Sequence, residues 1–164
     1  MVHTTIAGLR ERAGNAATEE AAIAAELLLG VKTNIKKEKI SYVTQLIQEI
    51  AKFKVGPNKP IIGSNIFRVS SGWIYYMLSK AMEHGEEEGM LPFKAELIGR
   101  RKEFVVSKAS GGSLIKDRLK SLGVDIPMEL LPELTKAVKQ EASIKKSALS
   151  DEELLYIARK VLKF

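Results

Sequence analysis

Cysteine is absent from the 164 residues, which removes disulfides, thiolate metal ligands and a cysteine nucleophile from the chemistry open to this chain. What remains are carboxylates, amides, hydroxyls, imidazoles and cationic side chains. A loop through Glu11, Arg12 and Gly14 runs into Asn15, which stands directly before Ala16-Ala17-Thr18-Glu19-Glu20. A carboxamide ahead of an alanine-rich segment with acids in its first turn is the pattern of a helix N-cap, so Asn15 is expected to cap a helix. The formal charge of +6 raises the question of polyanionic partners. Lys and Arg are interspersed with acids, however, and Lys36-Lys37, Arg100-Arg101-Lys102 and Lys145-Lys146 are short clusters at element ends, which read as solvated surface. Were one of them to hold an anion, a nucleotide-like acyl carrier would suit it as well as DNA. No basic stripe or interleaved aromatic platform is present, so no nucleic-acid partner is expected.

The elements that must position these residues follow from periodicity. Val2 to Gly8 is short and β-branched and reads as one buried strand, followed by a helix from about Ala16 to Leu29 that ends at Gly30. Ile40, Val43, Ile47 and Ile50 recur at helical spacing within 39–52, and Gly56-Pro57 breaks the pattern. Trp73, Tyr76, Met77 and Ala81 mark a helix with an aromatic face, closed by an acidic turn at Gly85-Glu86-Glu87-Glu88-Gly89. Phe104-Val105-Val106 reads as a short strand, Leu114 to Leu122 as a helix ending at Gly123, and 127–145 as a helix with Pro132 in its first turn or at a kink. Ser150-Asp151-Glu152-Glu153 has the form of a capping box ahead of Leu154, Ile157, Ala158 and Val161. No apolar run is long enough to span a bilayer, and Met1-Val2-His3 opens no export signal, so a cytoplasmic protein with no membrane partner is expected.

Four collinear segments carry a family resemblance. Gly8-Leu9-Arg10-Glu11-Arg12-Ala13-Gly14-Asn15-Ala16 is similar to the stretch HVTVNGIGERAGNA that closes the barrel of isopropylmalate and homocitrate synthases. Asn58-Lys59-Pro60-Ile61-Ile62-Gly63-Ser64-Asn65-Ile66-Phe67 resembles NKPIVGENAF, Pro92 to Gly99 resembles PFDPELVG, and Ser107-Lys108-Ala109-Ser110-Gly111 resembles GKHSG. Together they identify the chain as resembling the C-terminal part of an isopropylmalate, homocitrate or citramalate synthase, within the wider group of DRE-type metallolyases that includes hydroxymethylglutaryl-CoA lyase.

The resemblance implies an α/β fragment, mostly α: the last strand and helix of a TIM barrel over 1–31, then a helical C-terminal subdomain with a short strand over 32–164. Seven barrel strands, the early aspartate and arginine and the paired histidines of HxH would lie elsewhere. In the family a divalent metal (magnesium, manganese or zinc) is held by that aspartate, the histidines and, in several branches, the asparagine matching Asn15, which makes Asn15 the metal-ligand candidate here. Glu11 and Arg12 would flank the barrel mouth, as substrate contacts or as an ion pair supporting the loop. His3 would lie at the other end of the strand and reads as structural. Acyl-CoA and a 2-oxo acid are the substrates implied for the complete enzyme, with a homodimer and, if the barrel is divided, a separate polypeptide supplying its remainder. For this chain alone no bound cofactor is expected.

Departures from the family pattern fall at its acid–base positions. Where family members read RHEAGIH, this chain has Arg68-Val69-Ser70-Ser71-Gly72-Trp73-Ile74, YEPF is Met90-Leu91-Pro92-Phe93, and the histidine of GKHSG is Ala109. None of Ile74, Met90 and Ala109 can move a proton, a contribution worth about 10²–10⁴-fold in rate. No catalytic residue is therefore assigned. Two functions are expected: an incomplete portion of a carbon–carbon bond-forming or bond-cleaving enzyme, inactive alone, or a non-catalytic dimerisation or assembly module derived from that family.

Overall fold

The computed structural model describes residues 1–86 and 90–162 and shows a mostly helical α/β chain whose strands are each two residues long. Glu87, Glu88 and Gly89, the heart of the expected acidic turn, lie outside the described residues. The chain divides into two compact units, Met1–Phe67 with Phe93–Lys102 and Arg68–Pro92 with Glu103–Phe164. Residues 1–31 thus share the first unit with 32–67.

In the first unit, β1 (Thr4–Thr5) pairs in parallel with β2 (Ala16–Ala17), Thr4 opposite Ala16 and Thr5 opposite Ala17. The strand expected from Val2 to Gly8 is cut short, because Ile6–Gly8 turns into a 3-10 helix with Ala7 at φ 56°. That left-handed alanine costs roughly 1–2 kcal/mol. It is offset where the Ala7 N–H donates to the Glu19 carboxylate at 3.1 Å, a bond to a charged acceptor worth about 1.5–3 kcal/mol. Helix α1 (Thr18–Leu27) is capped by the backbone of Ala17 with no side-chain cap bond, so Asn15 is not the N-cap expected of it. Ala16 and Ala17 are held extended against β1, and this moves the helix start beyond the reach of Asn15.

Helix α2 (Ile40–Ala51) ends on Lys52 in the left-handed conformation, close to the boundary expected from sequence. Its buried residues are Ile40 and Thr44, while Ile50 remains 69% exposed. The core of this unit gathers Ile23, Ile40, Ile62, Phe67, Ala95 and Ile98. Phe67 is fully enclosed, stacked edge-on against Phe93 at 5.4 Å and covered by the Arg100 guanidinium at 5.5 Å. Arg100 also donates to the Gly63 and Ser64 carbonyls at 2.6 and 3.1 Å, which pins the Asn58–Phe67 segment around that ring.

In the second unit, β3 (Arg68–Val69) pairs in parallel with β4 (Glu103–Phe104), and the Val105 N–H extends the ladder to the Val69 carbonyl. The strand expected over 104–106 is thus shifted by one residue, and Val106 leaves it to enter the helical core. Helices α3 (Gly72–Glu83), α4 (Gly112–Ser121), α5 (Leu131–Lys145) and α6 (Asp151–Leu162) follow. Pro132 occupies the first turn of α5, where its missing N–H would have had no helical partner. The capping box forms as expected: Ser150 Oγ accepts the Glu153 N–H at 3.3 Å and the Glu153 carboxylate accepts the Ser150 N–H at 2.6 Å. Ile115, Leu119, Leu134, Val138, Ala142, Leu154 and Ala158 make the core, each fully buried apolar side chain contributing roughly 1.5–3 kcal/mol except the smaller alanines. Among the described residues no helix is long and apolar enough to cross a membrane.

Candidate functional site

Glu11, Arg12 and Asn15 are brought together on one exposed loop between β1 and β2. Two tight hydrogen bonds shape it: the Gly14 N–H donates to the Glu11 carbonyl at 3.0 Å, and the Asn15 N–H to the Gly8 carbonyl at 3.1 Å. Gly14 sits at φ 82°, and a Cβ there would lie 2.3 Å from the Gly8 oxygen, so only glycine lets the loop close. The turn also places Arg12 at φ 55°. The backbone of Asn15 is therefore held while its side chain, relieved of any capping role, faces solvent. No ion pair joins Glu11 to Arg12 among the described residues, and His3 is exposed ahead of β1.

A divalent ion needs several oxygen or imidazole donors, and Asn15 offers one neutral carboxamide oxygen. Among the described residues no three His, Asp or Glu side chains converge on a common point. In the Gly8 to Asn15 loop the Asn15 carboxamide stands exposed.

The positions that depart from the family pattern belong to the second unit. The Gly72 N–H donates to the Ala109 carbonyl at 3.0 Å, so the start of α3 is tied directly to the 107–111 loop. A Cβ on Gly72 would fall 2.5 Å from the Gly111 nitrogen, which leaves no room for any other residue. Ile74, Met90 and Ala109 are all exposed. Tyr75, next to Ile74, donates its hydroxyl to Asp117 at 2.6 Å. Burial first and the Asp117 carboxylate second push its phenol up to about 12, so it stays protonated near neutral pH. The same helix exposes Trp73 at 70%, Tyr76 at 48% and Met77 at 36%. Of the groups lining the open cleft of about 960 Å³ between α5 and α6, including Lys139, Ile144, Tyr156 and Lys160, none belongs to these motifs.

Two residues that matter structurally are not singled out by sequence reasoning. Ser110 is fully buried; its hydroxyl accepts the Ser107 N–H at 2.8 Å and donates to the Ser70 carbonyl at 2.9 Å, joining the 107–111 loop to the chain after β3. Glu19, at 1% exposure, is the buried carboxylate behind the Asn15 loop. The only sequence signal for either is indirect: a small hydroxyl residue inside a glycine motif, and an acid opening an otherwise apolar helix.

No family model matches the chain. It is 36% identical over 159 residues to the (R)-citramalate synthase of Methanocaldococcus jannaschii, a match covering 97% of this chain and 31% of that protein. To the 2-isopropylmalate synthase of the same organism it is 37% identical over 143 residues, covering 84% of this chain and 26% of that protein. The chain spans about a third or less of the length of these curated relatives. Over most of its length it is a homologue of one segment of the citramalate and 2-isopropylmalate synthases.

Proposed function

We propose that this chain is the C-terminal portion of a divalent-metal-dependent enzyme that forms or cleaves a carbon–carbon bond between an acyl-CoA and a 2-oxo acid, working in the cytoplasm in amino-acid biosynthesis. The observation that carries the reading is the loop from Gly8 to Asn15, whose backbone is closed on itself and whose terminal carboxamide is left free, at the position that matches a family metal ligand. In this reading β1 and α1 are the last strand and helix of a TIM barrel. The remaining strands supply the aspartate and paired histidines, and chemistry takes place at the C-terminal mouth, where the loop after β1 carries Glu11, Arg12 and Asn15. Asn15 would add one oxygen to that ligand set, and Glu11 and Arg12 would contact the substrate or brace the rim. Because Ile74, Met90 and Ala109 carry no proton, general acid–base assistance would have to come from another group.

A second reading, a non-catalytic dimerisation module, is favoured by the exposed Trp73, Tyr76 and Met77 on α3, since aromatic and methionine side chains concentrate in interface cores. A homodimer by sedimentation at micromolar concentration, reduced to monomer by Trp73→Asp, would support it.

The enzyme reading is tested by manganese titration calorimetry and by thiol release from acetyl-CoA with 2-oxoisovalerate, 2-oxoglutarate or pyruvate. The chain alone should bind no metal and release no thiol. Adding a polypeptide with the first seven barrel strands should create a metal site that Asn15→Ala weakens. Thiol release by the chain alone would overturn the fragment reading, and failure of the reconstituted pair to bind metal would favour the assembly module.

A further inference from the structure

Helix α6 carries Glu152 and Glu153 in its first turn and Arg159 and Lys160 in its last, with Tyr156 midway between them. By helix geometry Glu152 and Lys160 lie about 6 Å to either side of Tyr156 along the axis and point within roughly 40° of it, so the three share one face. All three are exposed, Tyr156 at 59%. Ile144 of α5, which lines the same open cleft as Tyr156 and Lys160, is 76% exposed. The Lys160 amine lies over the Tyr156 ring at 4.4 Å. Glu153 is engaged by Lys145 at 2.6 Å, whereas Glu152, Arg159 and Lys160 join no ion pair among the described residues.

A helix dipole by itself favours acids early and bases late. It does not place an exposed aromatic ring between them or an exposed isoleucine beside it, and side chains of that kind concentrate in interface cores. When two copies of one helix cross a two-fold axis antiparallel, a residue ahead of the axis faces the residue equally far behind it on the other copy. With the axis beside Tyr156, Glu152 faces Lys160 of the second copy and Lys160 faces its Glu152. A parallel pairing would instead oppose Glu152 to Glu152 and Lys160 to Lys160. We propose that the face made by α6 and the adjoining end of α5 binds a second copy of this chain in that antiparallel arrangement. Tyr156 and Ile144 supply its apolar centre, and the two Glu152 to Lys160 pairs fix its direction and register. The inference does not rest on the enzyme reading, and its face is a different one from that of Trp73, Tyr76 and Met77 on α3.

The test is sedimentation of the full chain at micromolar concentration in a Trp73→Asp background, which silences the α3 face. That variant should remain a dimer. Adding Glu152→Lys sets two like-charged pairs across the axis, and so does adding Lys160→Glu, so each should raise the dimer dissociation constant at least about tenfold. Mixed one to one, the two charge variants should associate as a heterodimer with affinity close to that of the unswapped pair, because every facing pair is again of opposite sign. Tyr156→Arg, which brings two cations together on the axis, should give monomer independently of the swap. All four positions are exposed, so the fold should be retained, and circular dichroism checks it. A Trp73→Asp chain that is only monomeric overturns the inference and leaves the α3 module standing. Charge variants that dimerise as well alone as the unswapped chain, or a mixture that stays monomeric, overturn the antiparallel pairing.

Discussion

Replacing Ser110 by alanine isolates what one buried hydroxyl contributes to the second unit. The substitution removes a single oxygen from a site with no exposure, so the change in packing volume is small and the hydrogen bonds decide the outcome. Two close partners are orphaned, the Ser107 N–H bound at 2.8 Å and the Ser70 carbonyl bound at 2.9 Å, and a longer contact to the Val105 carbonyl at 3.4 Å is lost with them. An unsatisfied buried group costs about 1–3 kcal/mol, and since Ser70 and Ser107 are themselves only partly buried, water recovers some of it; the sum comes to about 2–3 kcal/mol. For a chain of this size that corresponds to a fall in melting temperature of roughly 5–10 °C. Ser107→Ala is the internal control, because its hydroxyl accepts only the Ala109 N–H at 3.2 Å in an exposed position and its loss should stay within about 0.5 kcal/mol. Thermal unfolding followed by far-UV circular dichroism, supported by urea midpoints, measures both. A Ser110→Ala melting temperature no lower than that of Ser107→Ala would refute the assignment of Ser110 as the tie between the two segments.

Ser150→Ala should cost about 1 kcal/mol in a urea titration, since it breaks one half of the capping box on α6. Asn15→Ala should leave the stability of the isolated chain unchanged to within about 0.5 kcal/mol, whereas a true cap would have lost about 1; the same titration distinguishes them. Glu26 is held at about 2, below its ordinary 4.5, first by the hydrogen bond from Lys37 and then by those from the Thr33 hydroxyl and backbone N–H. Because its folded value is depressed, the stabilisation it provides is present above pH 4.5 and is lost as pH falls towards about 2. Melting curves of wild type and Glu26→Gln should therefore differ at pH 6 and converge as the pH approaches about 2, and a gap that persists at the acid end would contradict this.

Several elements are legible in the sequence because their causes are local. The Ser150 to Glu153 box needs only residues three apart, Pro132 is tolerated only where a helix begins, and the limits of α2 and α4 follow nearby glycines and a helical repeat of apolar residues. The strand expected from Val2 to Gly8 stops early because β-branched propensity describes the chain in isolation. The Glu19 carboxylate, twelve residues from Ala7, draws the backbone out of the ladder after Thr5. Asn15 does not cap α1 for a related reason, since pairing with β1 keeps the two residues after it extended. On α2 the apolar repeat includes Ile50, yet Thr44 is the residue buried beside Ile40, because burial follows whichever face its neighbours cover.

By itself, the sequence determined the family resemblance, the mostly helical character, the loop from Gly8 to Asn15 and the loss of proton-carrying groups at Ile74, Met90 and Ala109. All of these are properties of residue identity and of spacing within one element. Tertiary structure decided the part each polar side chain plays. It leaves Asn15 free instead of capping, ties Tyr75 to Asp117, makes Ser110 the join between two segments, and buries Glu19 with one oxygen unmet. The physical reason is that a polar group acquires its role from its partners and from its removal from water. Both are fixed by residues distant in sequence, forty positions away for Ser110 and Ser70.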